Sequence, residues 1–296
     1  MLPPLPKGRG IRIDILMKKV LFGLVLLFIG CIGWDMGHIA YYSHWLTHTC
    51  LTTPYTPQKG EELSPIFTQA FTFLDQGSTS EVFVSQDRKT VLKVFLDKNY
   101  SSRSRKHIPF LGKLSAKRKE LKMKKARYKA TINSYALLPK ETGMLYYHFS
   151  PTDTFHQSIT LIDKEGNKRT LDLDRENYLI QRKAIVAWDY IHRHVTQGDL
   201  EEARLAIKKL LTFTKLLYDQ GIVLIDLQFA SNFGFIDGEP TRIDTEHLTF
   251  KRSWKTSYQT HLSEQLADFR VWIEECCPSS LLAYFDEKVA AIFQDK

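Results

Sequence analysis

Gly77-Ser78-Thr79-Ser80-Glu81-Val82-Phe83, followed shortly by Val91-Leu92-Lys93-Val94-Phe95, reads as a turn of small residues leading into one strand and then a second strand that carries a lysine. A strand-like run, Thr72 to Leu74, precedes the turn. Gly77, Ser78 and Ser80 are small enough to let backbone amides approach a phosphate. Lys93 stands alone among strand formers, and the two-residue period of a strand points it away from its apolar neighbours. An ordinary hairpin with a surface lysine has the same local pattern.

A second stretch carries the oxygen ligands. Ile225-Asp226-Leu227-Gln228-Phe229-Ala230-Ser231-Asn232-Phe233-Gly234-Phe235 follows the apolar run Ile222 to Leu224, and Arg242-Ile243-Asp244 closes the region. Between them Asp237-Gly238 marks a hairpin that brings Asn232 and Asp244 together. Asp and Asn also favour turns for their own sake.

Taken in order, the two stretches resemble the nucleotide-handling parts of a protein-kinase-like fold. The resemblance covers roughly residues 66 to 260 and points to compact, atypical relatives such as lipopolysaccharide-core or aminoglycoside kinases. It implies an α+β, two-lobed domain with a mainly antiparallel-sheet N-lobe and a helical C-lobe, using ATP and Mg²⁺. Gly77, Ser78 and Ser80 would cover the phosphates, Lys93 would contact them, and Glu120 would be the helix partner of Lys93. Asp226 would be the catalytic carboxylate that orients an acceptor hydroxyl, and Asn232 and Asp244 would hold the metal. The departures are several: one glycine in the phosphate turn, no His-Arg before Asp226, a longer step from Asp226 to Asn232, and Thr245-Glu246 where eukaryotic kinases have Phe-Gly. A catalytically inactive pseudokinase, a membrane-tethered binding or scaffolding module, is therefore the alternative to an enzyme.

The 296 residues suffice for one two-lobed domain behind a short anchor. Val20 to Trp34 carries no charge, and looser apolar character continues to Tyr42. The reading divides the chain into a basic N-terminal segment (1–19), a transmembrane signal anchor (20–42), a linker (43–65), an N-lobe with a basic helix (66–181) and a C-lobe (182–296). A cleaved secretory signal and a lipoprotein signal ending at Cys31 are the competing readings of the apolar run. Lys7, Arg9, Arg12, Lys18 and Lys19 precede the run and no cation follows before Lys59, which predicts a domain on the non-cytoplasmic side. The four cysteines form no metal-binding pattern, and His44 with His48 reads as a solvent-facing pair.

Charge is concentrated in one place. Residues 103–129 hold twelve cations against the single acid Glu120, a net +11, so the rest of the chain is −3 out of a total of +8. Ser101 to Gly112 reads as a loop and Ser115 to Leu138 as the basic helix. A solvated face, anionic lipid headgroups and a polyanion compete as its role; with Phe110 and Tyr128 its only aromatics, nucleic acid is the weakest of these. Further on, Tyr178 to Gln181 is the expected hinge. Asp199 to Glu202 reads as a helix cap, and two C-terminal helices, His261 to Cys276 and Ser279 to Gln294, are separated by Pro278.

Overall fold

The computed structural model describes residues 9–48, 57–96, 110–224, 228–250 and 259–294. Two compact units divide the chain, one of residues 1–49 with 98–125, the other of residues 50–97 with 126–296.

The smaller unit holds α1 (Arg9–His48) and the start of α3 (Phe110–Leu137). Within α1, Val20–Leu46 is long and apolar enough to cross a membrane, with a mean hydropathy of 2.0; a signal sequence has the same character. Leu21, Phe22 and Leu27 are 64–67% exposed, far more than leucine and phenylalanine in the core helix of a soluble domain. Asp35 ends the uncharged run and meets Arg118 of α3 at 2.8 Å. Lys125 donates to the Tyr41 hydroxyl at 2.9 Å and lies 4.6 Å from the centre of the Trp45 ring. Part of the basic run is therefore engaged within the unit, while Lys113, Lys119 and Lys122 stay exposed.

Two expectations change here. The basic helix begins at Phe110, so Gly112 is helical and does not belong to a loop; residues 101–109 lie outside the described residues. The expected linker is largely helical too, because α1 continues to His48 and α2 (Pro57–Phe67) follows. Leu63 and Phe67, four residues apart on one face of α2, are buried in the sheet core, and that burial outweighs the turn-forming composition of the stretch.

The larger unit is built on a seven-stranded sheet. Its members are β1 (Phe71–Gln76), β2 (Ser80–Ser85), β3 (Thr90–Phe95), β4 (Met144–His148), β5 (Ser158–Ile162), β6 (Lys168–Asp172) and β7 (Tyr178–Arg182), in the order β4-β7-β3-β2-β1-β5-β6. Among the described strand pairs, only β1–β5 is parallel. Every residue of the central strand β3 is buried, Lys93 included. Short α4 (Pro139–Thr142) ends at Gly143, whose φ of 60° is the left-handed geometry that favours glycine. Tyr178 to Gln181 is not the hinge: it is the buried strand β7, paired on both sides, and the connection to the helical part is the segment that follows it, through Lys183 and Ala184.

Helices make up most of the remainder: α5 (Ala187–Thr196), α6 (Leu200–Asp219), α7 (Phe229–Asn232), α8 (Gln259–Cys276) and α9 (Ser279–Gln294). The amide of Glu202 donates to the Asp199 carboxylate at 3.1 Å, capping α6 as its sequence suggests, an arrangement that contributes about 1 kcal/mol. Ala203, Ala206, Ile207, Leu210, Leu211 and Leu217 then bury one face of α6 against α5, α8 and α9. Arg270 of α8 clamps Asp286 of α9 in two-point contact at 2.8 and 2.9 Å. Three short ladders complete the unit: β8 (Ile185–Val186) beside β10 (Phe233–Ile236), β10 beside β11 (Glu239–Arg242), and β9 (Ile222–Leu224) beside β12 (Leu248–Phe250). Asp237 and Gly238, both at positive φ, form the tight β10–β11 turn.

Candidate functional site

A cleft of about 730 Å³ opens between the β1–β2 turn, β3, the segment after β7 and the loop after β11. Gly77, Ser78, Ser80, Lys93, Asn232 and Asp244 all line it, so six residues from two distant stretches share one cavity. Asp226 lies outside the described residues.

The turn over the cleft is closed by the Gly77 amide donating to the Ser80 carbonyl at 2.9 Å. A Cβ added at Gly77 would meet only Ser80 O, at 3.8 Å, an ordinary contact, so the turn itself does not require glycine there. Strand β3 delivers the Lys93 ammonium into the cleft, where it donates to the Ile243 carbonyl at 2.8 Å. The two residues are 150 positions apart, and the bond joins strand β3 to the loop that carries Asp244.

Asn232 and Asp244 are tied together through the backbone, since the Ile243 amide donates to the Asn232 carbonyl at 2.9 Å. The Asp244 carboxylate accepts from the Glu246 amide at 2.9 Å and from the His247 ring at 3.1 Å. Burial pushes its pKa upward, but His247, Lys93 and Arg242 more than offset this and hold the group well below the usual carboxylate range. It is therefore an anion at neutral pH. The Asn232 amide is buried, and its Nδ2 position makes no hydrogen bond among the described residues. Because amide oxygen and nitrogen are interchangeable by rotation, that position can equally offer an oxygen. A carboxylate and an amide oxygen are the ligand types a hard divalent cation takes, so the donor set fits Mg²⁺.

Further side chains join the site that the sequence reading did not assign to it. Glu246 is 8% exposed in the cleft, accepting from the Thr79 hydroxyl at 3.1 Å and lying 3.9 Å from Nε of Arg127. Gln181, near the end of β7, is buried with its Oε1 unpaired among the described residues, while its amide nitrogen donates to the Arg242 carbonyl at 3.1 Å. An acid two residues after Asp244 was visible in the sequence, but nothing marked Arg127 among twelve neighbouring cations. Glu120 sits in the smaller unit and accepts from Lys117, three residues earlier, at 3.1 Å. The described residues contain no group of three or more His, Cys, Asp or Glu that could hold a metal ion, and the His48 side chain lies outside them. Burial pushes the Cys277 thiol up to about 11, which leaves it unreactive.

No family model matches the chain, and no curated protein does. Among solved structures, the ROP18 kinase domain in complex with AMP-PNP and sucrose is 12% identical, with 84% of this chain and 100% of that one covered at a TM-score of 0.40. The bifunctional kinase-methyltransferase WbdD is 15% identical over 72% of this chain and 43% of its own, at a TM-score of 0.33; the chain thus spans less than half the length of WbdD. Rv3197 from Mycobacterium tuberculosis, solved with erythromycin, is 13% identical over 95% and 75%, at 0.34. The reading of the cleft rests on this chain's own residues. Their order runs from a lysine-bearing third strand through a helix to an Asn–Asp hairpin within an α+β domain.

Proposed function

We propose that the chain is a membrane-anchored, kinase-like phosphotransferase that uses ATP and Mg²⁺ to phosphorylate a hydroxyl group on a protein, sugar or lipid acceptor. The observation that carries this reading is the convergence of Lys93, Asn232 and Asp244 on one cleft roofed by the Gly77–Ser80 turn. In it Lys93 would neutralise phosphate charge, the turn would offer backbone amides to the phosphates, and Asn232 and Asp244 would hold Mg²⁺. Bound there, the metal would draw negative charge off the transferring phosphoryl group. Asp226, six positions before Asn232 in the sequence, would orient the acceptor hydroxyl and take its proton.

Asp226→Asn tests this. It is expected to leave ATP affinity within about twofold while lowering phosphotransfer by two orders of magnitude or more, roughly the contribution of a positioned general base. The measurement is transfer of labelled γ-phosphate to the protein itself and to protein, sugar and lipid pools. A wild-type protein that binds ATP but transfers nothing, with Asp226→Asn unchanged in cells, leaves the pseudokinase reading in its place. One observation favours that second reading: the helix after β3 places a cation, Arg127, 3.9 Å from the cleft-lining Glu246, where the resemblance would put a carboxylate.

Alongside the anchor, the exposed Lys113, Lys119 and Lys122 favour anionic headgroups, at roughly 1 kcal/mol for each lysine near such a surface. Full-length protein in anionic nanodiscs is expected to acylate more slowly at these lysines than in neutral ones, with the difference fading at high salt. Equal labelling in the two bilayers would reduce the segment to a solvated face.

A further inference from the structure

We propose that Gln181 is a positioning residue for the metal ligands of the cleft: its side-chain amide donates to the backbone carbonyls of Thr142 and Arg242, and in doing so fixes the spacing of Asn232 and Asp244. The inference rests on the metal-nucleotide reading of the cleft and adds the group that holds its ligand pair in place.

Strand β7 pairs with β3 so that Leu179 stands opposite Lys93 and Gln181 opposite Val91. Residues directly opposite in an antiparallel pair project to the same face, and Val91, Lys93 and Gln181 all line the cleft. Tyr178 and Ile180 alternate to the other face and enter the sheet core. At 2% exposed, Gln181 must satisfy its amide without water. Its nitrogen does so with carbonyls of two different elements: Thr142 at the end of α4, where helix carbonyls lack internal partners, and Arg242 at the end of β11, the latter at 3.1 Å. Only the nitrogen can serve two carbonyls, so the amide has a single orientation. Its Oε1 is left without a hydrogen bond among the described residues. The amide thus brings a buried, unpaired oxygen with it, and the two donated hydrogens are what offset that penalty.

The Arg242 carbonyl is the acceptor that matters for the site. It belongs to the planar peptide unit that also contains the Ile243 amide, and that amide donates to the Asn232 carbonyl at 2.9 Å. In a trans peptide the carbonyl and the amide point in opposite directions, so Gln181 grips one edge of the unit and Asn232 the other. The next carbonyl along, that of Ile243, accepts from Lys93 at 2.8 Å. Two successive peptide units before Asp244 are thereby fixed in orientation, and the backbone of Asn232 is tied to the first of them. Without the Gln181 bond that first unit is free to tilt, and the tilt carries the Asp244 carboxylate away from Asn232. Mg²⁺ demands near-ideal octahedral geometry, so a small change in the spacing of two ligands weakens its binding.

The test is calorimetric binding of ATP to full-length protein in detergent, with Mg²⁺ and with EDTA. Gln181→Met fills the volume but donates nothing. It is expected to weaken ATP about tenfold or more in Mg²⁺, the usual effect of losing a group that orients a metal ligand, and to leave binding in EDTA within about twofold. Equal loss in both conditions would make Gln181 a support of the fold and overturn the proposal; unchanged binding in Mg²⁺ would overturn it too. Gln181→Glu separates donor from ligand, because it keeps an oxygen in the place of Oε1 and has at most one proton to give. It is expected to lose Mg²⁺-dependent affinity as Gln181→Met does, and wild-type or tighter binding would make the oxygen a metal ligand and overturn the proposal. Should both variants fail to fold, Gln181→Asn, with both amide hydrogens on a shorter arm, is expected to give a smaller loss confined to Mg²⁺, and unchanged Mg²⁺ binding would count against the proposal. A wild type that binds ATP equally in Mg²⁺ and EDTA, or not at all, is a different result, since it removes the metal-nucleotide reading and the inference with it.

Discussion

Saturating ATP with Mg²⁺ is expected to raise the melting temperature of the wild-type protein, and Asp244→Asn is expected to remove the whole rise. A ligand at one hundred times its dissociation constant stabilises the folded state by about 2.7 kcal/mol. For a domain of this size that corresponds to a shift of roughly 5–10 °C. Asn preserves the shape of Asp244 but cannot supply the negative charge that acts on Lys93 and that the proposed metal site requires. The carboxylate is an anion throughout the neutral range because its folded-state pKa is depressed, so the stabilisation it gives is present above the ordinary carboxylate range and fades only in acid. Lys93→Ala is expected to abolish the ligand shift as well. It should also lower the melting temperature without ligand, since it leaves the buried carboxylates of Asp244 and Glu246 less compensated. A wild-type protein with no shift at millimolar nucleotide, correctly folded by circular dichroism, would remove the nucleotide site.

Gly234→Ala is expected to be the most damaging single methyl in the chain's larger unit. A Cβ on Gly234 would lie 2.6 Å from the Ile185 carbonyl oxygen, 2.8 Å from Ile243 Cδ1 and 3.0 Å from Ala184 Cβ. The first of these is backbone, on strand β8, which pairs with β10 at this position, so it cannot swing aside as the end of a side chain would. Overpacking of this kind destabilises by about 1–3 kcal/mol, and a backbone clash belongs at the upper end. The expected fall in melting temperature is roughly 6–12 °C. Gly77→Ala is the control, expected to stay within about 0.5 kcal/mol because its methyl group has open space. If the two variants melt together, the close approach of β10 to the segment after β7 is not what fixes the floor of the cleft.

These two glycines show what kind of information lay in the sequence. Gly77 stood out because it sits in a turn of small residues, yet the structure gives its Cβ room. Gly234, between two phenylalanines in a strand, gave no local sign of its constraint, which comes from Ile185 across the sheet. The hinge was displaced for a related reason. Tyr178 to Gln181 has the apolar content of a connecting segment that covers a ligand, but its pairing with both β3 and β4 makes it a core strand. Helical residues in the expected linker followed from burial of Leu63 and Phe67 in a core that the stretch alone does not display.

The sequence by itself determined the features set by neighbours a few positions apart: the lysine-bearing strand, the Asp199 cap and apolar face of α6, the Asp237-Gly238 hairpin, the uncharged run of α1 and the density of cations after β3. Two-residue and 3.6-residue periods, turn residues and charge counts are all local quantities, and they fix local structure wherever packing agrees with them. Tertiary structure alone decided which side chains line the cleft with Lys93, which of twelve cations lies beside Glu246 and which glycine has no room for a methyl group. Thr79 and Glu246 meet across 167 residues of chain, and no pattern within either segment encodes the partner. Contacts of that length depend on how the whole core packs, and the chemistry of the cleft is made of them.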